Sequence, residues 1–250
     1  MNRLNEKVTV ITGGNSGIGF GIAEEFKNEG AKGAIIGRNK ATLDDAAAKL
    51  GDSFIAISAD VTKVADLQRA FKQTAERFGK IDVVVANAGG GIIGTVADLG
   101  EADYDRTMDL NLKSVYFTVQ AALPYMNDGG SIILIGSNAA HRAYPSFSLY
   151  GAAKAAVIFF AKGFSNDLLS RKIRVNVITP GTTDTPAFDK FVPAEQIEAV
   201  KSHFADTMPI GRIGQPSDIG KTAVFLASDD SSFLLGAELL VDGGLTYLAK

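Results

Sequence analysis

Tyr150 and Lys154 stand four residues apart at the start of a segment with a helical pattern, Tyr150–Ser170. That spacing puts both side chains on one helix face. A free tyrosine ionises near pH 10, too high for a base at neutral pH. A neighbouring ammonium favours the phenolate and lowers that value, which makes the pair a candidate general acid/base. Ser137 lies just past the apolar run Ser131–Ile135, at the end of a strand where open α/β sheets hold their ligands. Its hydroxyl is suited to holding and polarising a carbonyl oxygen. By itself a Tyr-x-x-x-Lys pair is ordinary in helices, usually a core ring beside a solvated amine. Its meaning depends on the rest of the chain.

A second candidate is the loop Thr12-Gly13-Gly14-Asn15-Ser16-Gly17-Ile18-Gly19, which follows an apolar run and leads into a helical pattern. Glycines there permit a tight turn and close approach of backbone to a pyrophosphate. The helix N-terminus then presents free N–H groups and partial positive charge. The spacing is G-x-x-x-G-x-G rather than G-x-G-x-x-G, and a glycine-rich turn that merely packs is the alternative. After the second apolar run comes Gly37-Arg38-Asn39, with no acidic residue. Sites that select NAD place a carboxylate there for the ribose 2′-hydroxyl. A guanidinium suits a 2′-phosphate instead, so Arg38 points to NADP rather than NAD unless it is simply a surface side chain.

These residues need a scaffold. Candidate strands are Val8–Thr12, Gly33–Ile36, Phe54–Ser58, Val83–Asn87, Ser131–Ile135, Val175–Thr179 and Leu239–Val241. Several, such as Val83-Val84-Val85, are apolar without alternation, which suits strands covered on both faces. Helical patterns lie between them: Ile18–Asn28, Lys40–Leu50, Lys63–Phe78, Asp103–Met126, Tyr150–Ser170 and Pro216–Ala227. The alternation predicts an α/β fold, a doubly wound seven-stranded parallel sheet flanked by helices, of the Rossmann type. No linker divides the chain, so residues 1–250 read as one dinucleotide-binding and catalytic domain. The least regular stretch, around 186–209, has one short helical pattern, Ala194–Phe204, and reads as a substrate lid.

Composition narrows the chemistry. The 250 residues are 46% hydrophobic, with net charge −3, no Cys and two His, His141 and His203. Disulfides, thiolate catalysis and Cys-ligated metal are excluded, and no metal is expected. No Lys/Arg run suggests a nucleic-acid surface. No apolar stretch has the length of a secretion signal or membrane span, so the expectation is a cytoplasmic protein.

In order along the chain come Thr12-Gly13-x-x-x-Gly17-Ile18-Gly19, Asp60-Val61, Asn87-Ala88-Gly89, Asn111, Ser137, Tyr150-x-x-x-Lys154, Pro180-Gly181 and Val241-Asp242-Gly243-Gly244. Through these motifs the chain resembles the short-chain dehydrogenase/reductase family, of the bacterial tetrameric type, over essentially its whole length. The resemblance implies an oxidoreductase that moves hydride between NADP(H) and a carbonyl or alcohol. Tyr150 would be the acid/base and Ser137 would orient the carbonyl. Lys154 would lower the Tyr150 pKa and bond the nicotinamide ribose, and Asn111 would hold a water linking Lys154 to solvent. Gly13, Asn15, Ser16, Gly17, Ile18 and Gly19 would form the phosphate loop, with Asp60 and Val61 flanking the adenine. Asn87, Ala88 and Gly89 would line the cofactor, although Ala86 stands where the family usually begins this run with Asn. Pro180, Gly181, Thr183 and Thr185 would hold the carboxamide and phosphate. Many NADP-preferring members carry a basic residue where this chain has Ser16, so the NADP assignment rests on Arg38.

Substrate is expected against Ile92, Ser137, Asn138, Ala139, Tyr144, Phe147 and Phe188, in neighbourhoods that also include Gly90, Gly91, Ile93, His141, Ala187, Phe191 and Val192. The set is largely apolar, pointing to an uncharged ketone or its secondary alcohol. His141 and Arg142 read as solvated loop residues, and His203 as surface. The resemblance also raises 3-oxoacyl-carrier-protein reductase, through Arg171. Its members usually place basic residues before the strand leading to Ser137, where this chain has Asn127-Asp128-Gly129-Gly130. A non-catalytic NADP-binding redox sensor is the rival of another class, since a fold does not fix a function.

Overall fold

The computed structural model describes residues 2–186 and 192–248. Seven strands form one sheet: β1 (Val8–Thr12), β2 (Lys32–Gly37), β3 (Phe54–Ser58), β4 (Ile81–Ala86), β5 (Met126–Ile135), β6 (Arg174–Pro180) and β7 (Glu238–Val241). Their order is β3-β2-β1-β4-β5-β6-β7, and every pairing is parallel. The helices are α1 (Gly17–Asn28), α2 (Lys40–Leu50), α3 (Val64–Phe78), α4 (Glu101–Met108), α5 (Ser114–Ala122), α6 (Ser148–Asp167), α7 (Ile197–Thr207) and α8 (Pro216–Ala227).

Neighbouring residues on the central strands feed opposite faces, as the pleat requires. Val10, Val84, Ile132 and Val177 join Leu67 and Phe71 of α3, Val119 of α5 and Val157 of α6 in one core. Ile11, Val85, Ile133 and Ile178 join Ile22 and Phe26 of α1 and Ile219 and Val224 of α8 in the other. Burial on both sides explains the unbroken apolar runs. The strand order reverses between β1 and β4, which leaves a crevice at their carboxyl ends.

One expected helix is broken. Asp103–Met126 divides into α4, a single π turn at Asp109–Lys113, and α5. A 3-10 turn, Leu123–Tyr125, follows, because Pro124 has no N–H to continue the α5 ladder. β5 then starts at Met126, so Asn127–Gly130, expected outside the sheet, belongs to the strand. Pairing with β4 shifts register between Ile81 and Val83, and the Asn127 amide donates to Asp82 Oδ1 at 2.9 Å across that irregularity. The expected helix at Ala194–Phe204 is a 3-10 turn, Ala194–Gln196, followed by α7. Among the described residues no helix is long and apolar enough to cross a membrane.

Candidate active site

The carboxyl ends of β1, β2, β4, β5 and β6 open on one cleft of about 720 Å³, a volume typical of ligand sites. Thr12 closes β1 and ties it to β4: its Oγ1 donates to the Val85 carbonyl and accepts the Asn87 and Ala88 N–H groups, both at 3.0 Å. Asn87 Nδ2 donates in return to the Thr12 and Gly13 carbonyls. This lattice fixes the loop that carries Gly13, Asn15, Ser16, Gly17, Ile18 and Gly19, all of which line the cleft. Gly17 sits at φ +52°, a conformation L side chains rarely adopt. A Cβ on Gly19 would lie 2.2 Å from the Gly13 carbonyl oxygen, so α1 can approach the loop only as glycine. Ser16 precedes α1 without a side-chain cap, and no acidic residue stands in the first turn. The first N–H groups and the positive end of the helix are therefore left for an anion.

Arg38 follows β2, is exposed and borders the same cleft. No aspartate or glutamate lines the cleft among the described residues. Asn15 Nδ2 donates to Thr42 Oγ1 at 2.9 Å, and Asn39 caps α2 through the Thr42 N–H. Of Asp60 and Val61, only Val61 lines the cleft, together with Ala59. The Asp60 carboxylate instead accepts the Thr62 N–H and hydroxyl at 3.0 and 2.8 Å, an Asx turn that leads toward α3. Asp60 therefore does not flank the cleft as expected.

Tyr150, Lys154 and Ser137 meet at the other end. Lys154 is buried and its Nζ donates to the Ile135 carbonyl at 2.8 Å. It lies 5.7 Å from the Tyr150 ring centroid. Desolvation pulls its pKa down to about 8. Burial likewise raises the Tyr150 pKa, against a smaller lowering by a hydrogen bond with Ser137. Burial thus moves this phenol upward, where the neighbouring ammonium led to an expected downward shift: the charged forms of both groups are penalised by the same scarcity of water. Ser137 begins the 3-10 turn Asn138–Ala140, its Oγ accepting the Ala139 N–H at 3.2 Å.

Asn111 is buried on the π turn. Its Nδ2 donates to the Gly90 and Thr107 carbonyls, and its Oδ1 accepts the Gly90 N–H. The Thr107 carbonyl, which an unbroken α-helix would give to the Asn111 backbone N–H, bonds the side chain, in keeping with the tendency of π turns to mark functional positions. Gly89 separates Asn111 from Lys154: a Cβ there would lie 3.0 Å from Asn111 Oδ1 and 3.4 Å from Lys154 Nζ. On the β6 side Pro180, Gly181 and Thr185 line the cleft, as do Asn87, Ala88 and Gly89 on the β4 side. Thr183 does not. It is buried, donates to the Gly181 carbonyl and bridges Gly214, so it supports the loop from behind.

Of the expected substrate residues Ser137 lines the cleft, as does Gly90, whereas Ile92, Asn138, Ala139, Tyr144 and Phe147 are not in its lining. Asn138 and Ala139 form the turn after Ser137. Tyr144 and Phe147 rings lie 6.2 Å apart, and Phe147 and Tyr150 rings 6.1 Å apart, both edge to face. Ile92 is half-buried on the loop after β4, and Val192 is half-buried too. Ala187, Phe188 and Phe191 lie outside the described residues. His141, expected to be solvated, pairs with Glu238 at 2.6 Å, while His203 is exposed on α7. Sequence reasoning missed Gly37, Asn39, Thr42, Ala59, Leu110, Ile135, Gly136 and Pro186 in the lining. Most sit within a few residues of a named motif at a strand end, and that position was the available signal. Among the described residues no cluster of His, Cys, Asp or Glu is placed to hold a metal.

A family model described as enoyl-(acyl carrier protein) reductase matches residues 13–246. The chain is 40% identical over 250 residues to oxidoreductase asL5 of Sarocladium schorii, covering 99% of each chain. It is 36% identical over 255 residues to hydroxynaphthalene reductase-like protein Arp2 of Metarhizium majus, covering 96% of this chain and 95% of that one. A solved structure of a short-chain dehydrogenase/reductase of Brucella melitensis, titled glucose/ribitol dehydrogenase, superimposes with a TM-score of 0.91 at 33% identity, covering 99% of both chains.

Proposed function

Because this chain belongs to the short-chain dehydrogenase/reductase family of oxidoreductases, we propose that it interconverts an uncharged or mostly apolar ketone and its secondary alcohol with NADP(H). The observation that carries this reading is the meeting of Tyr150, Ser137 and Lys154 at one end of a cleft whose other end is an uncapped helix N-terminus. The residues present fit a dinucleotide: the glycine cradle would be filled by a Cβ at Gly19, and the lining carries no carboxylate to repel phosphates. Gly13, Asn15, Ser16, Gly17, Ile18 and Gly19 would hold the pyrophosphate, and Arg38 the 2′-phosphate. Val61, Asn87, Ala88, Gly89, Pro180, Gly181 and Thr185 would line the remainder, and Lys154 would bond the nicotinamide ribose. Bound there, the nicotinamide supplies or accepts hydride on carbon.

The chain's own residues manage the proton. Burial keeps Tyr150 protonated at neutral pH, the form that donates to a carbonyl oxygen during reduction. Ser137 donates to the same oxygen and favours charge developing there. Asn111, with an Oδ1 lone pair beyond its Gly90 bond, would hold the water that returns a proton toward Lys154. We read residues 1–250 as one catalytic domain that works as a homotetramer.

The carrier-protein reductase reading is weaker. Arg171, its basic marker, is tied to Asp128, Leu123 and Met126 at 2.8 Å each and is not left facing a phosphopantetheine carrier. The test is a screen of purified protein with NADPH and NADH against aliphatic ketones, diketones and cyclic ketones of the hydroxynaphthalene type. Turnover is expected with NADPH, and Tyr150→Phe should lose at least about 100-fold in kcat while cofactor binding persists. A wild-type protein that binds NADPH yet turns over no carbonyl or alcohol would transfer the assignment to a redox sensor.

A further inference from the structure

We propose that Arg142 is a positioning residue that couples the C-terminal turn to the catalytic tyrosine through the rings of Tyr144 and Phe147. This rests on the reading of Tyr150 as the acid/base. Arg142 Nη1 donates to the Leu245 carbonyl at 3.1 Å, and its guanidinium lies 5.7 Å from the centre of the Tyr144 ring. A guanidinium over a tyrosine face is attracted by the ring quadrupole. The Tyr144 hydroxyl accepts from Asn138 Nδ2 at 2.8 Å, so the ring is held at its face and at its tip. From there the contacts run edge to face, Tyr144 to Phe147 and Phe147 to Tyr150, a geometry with an orientational preference of its own.

Both ends of this path are anchored. Leu245 is buried, and the turn that presents its carbonyl is built on Asp242, whose carboxylate accepts the Gly244 and Thr246 N–H groups at 2.9 and 2.8 Å. Between the two rings the backbone is constrained as well. Ser146 holds φ +67°, an uncommon conformation for a non-glycine residue, and its carbonyl accepts the Gly94 N–H at 3.1 Å. The chain therefore adopts an unfavourable turn that delivers Phe147 to the start of α6, three residues and nearly one helical turn before Tyr150. Removing the guanidinium should let the Tyr144 ring turn and loosen the phenol that must meet the carbonyl oxygen.

The experiment compares wild type, Arg142→Met, Tyr144→Leu and the double variant. Each single change should lower kcat about five- to tenfold, less than the ~100-fold that a full ångström of misplacement can cost, with the Kd for NADPH unchanged. The double variant should be no worse than the poorer single one, since both act on one path. Multiplicative losses, or wild-type kcat in Arg142→Met, would overturn the proposal. A second readout does not need turnover. The chain has no Trp, so the near-ultraviolet circular dichroism of its tyrosines is unobscured. The difference between wild type and Tyr150→Phe measures the Tyr150 band. That difference should shrink in the Arg142→Met background, and an undiminished band would reject the coupling even if no substrate had been found.

Discussion

Lys154 carries its amine where little water reaches, and the consequence is a pH-dependent strain on the fold. Its folded pKa is about 8 against an ordinary 10.5. Below pH 8 the amine is protonated in both folded and unfolded chains, and the folded state bears the whole desolvation penalty, about 3 kcal/mol at 1.36 kcal/mol per pH unit. Between pH 8 and 10.5 the folded state releases its proton first, so the penalty fades as pH rises. Lys154→Met should therefore be the more stable protein at pH 7, by about 2 kcal/mol once about 1 kcal/mol is allowed for the orphaned Ile135 carbonyl. Its advantage should diminish by pH 10. Denaturant melts at the two pH values check this, and a variant less stable than wild type at pH 7 would refute it. Arg38 presents the opposite case, an exposed cation whose task is recognition. Charge-assisted bonds to a phosphate contribute about 1.5–3 kcal/mol, so Arg38→Ala should weaken NADPH binding at least about tenfold and leave NADH unchanged. An unaltered ratio of the two Kd values would remove the basis for NADP. Both residues were legible as site members from type and position. The direction of the Tyr150 shift was not, because desolvation is a property of what surrounds a group and not of its neighbours in sequence.

The elements show why some features could be read and others could not. β1, β3 and α2 have the bounds that apolar patterning predicts, since burial on both faces of a parallel sheet writes itself into composition. The π turn at Asp109–Lys113 left no comparable trace. One extra residue in a turn hardly disturbs a 3.6-residue period, although it is what lets Asn111 reach Gly90. The strand character of Asn127–Gly130 was hidden for another reason: polar and glycine residues read as a turn, and here they form the irregularity between the Met126–Ile81 and Ser131–Val83 pairs, tied to β4 by the Asn127–Asp82 side-chain bond. The junction of loop and α1 was legible in its glycines, and it supports a sharper expectation. A methyl at position 19 would stand 2.2 Å from the Gly13 oxygen, and backbone on both sides cannot swing away as a flexible side chain could. Gly19→Ala should lower stability by about 1–3 kcal/mol, as overpacking does, and weaken cofactor binding more than tenfold by displacing the N–H groups of α1. A thermal melt with and without NADPH measures both. An unchanged melt with full cofactor stabilisation would mean that the loop relaxes freely.

At the scale of the whole molecule, the sheet gathers its chemistry along one edge of strand ends, and the helices that carry Tyr150 and follow Asn111 also bear an aromatic cluster outside the cleft lining. Tyr116 of α5 packs with Phe160 and Phe164 of α6 at 5.9 and 5.7 Å, and those two phenylalanines stack at 4.8 Å. Beside them Phe159 is 68% exposed, and Tyr116 is 42% exposed. Two adjacent helices presenting large rings to solvent form the kind of patch that marks a protein interface, and it suits the homotetramer proposed above. The residues proposed to meet the substrate had no pattern in the sequence, because Ile92 follows β4 while Asn138 and Tyr144 lie between β5 and α6, and only folding assembles them. If α5 and α6 pair across subunits, each Phe159 buried contributes about 1.5–3 kcal/mol. A carboxylate in its place would have to be desolvated without a partner. Phe159→Asp should therefore dissociate the assembly at micromolar concentration, while a single chain keeps its secondary structure and its cofactor cleft, which the substitution does not touch. Sedimentation velocity of wild type and variant decides the matter. A monomeric wild type, or a variant that sediments as wild type does, would show that this face is not the one that joins subunits.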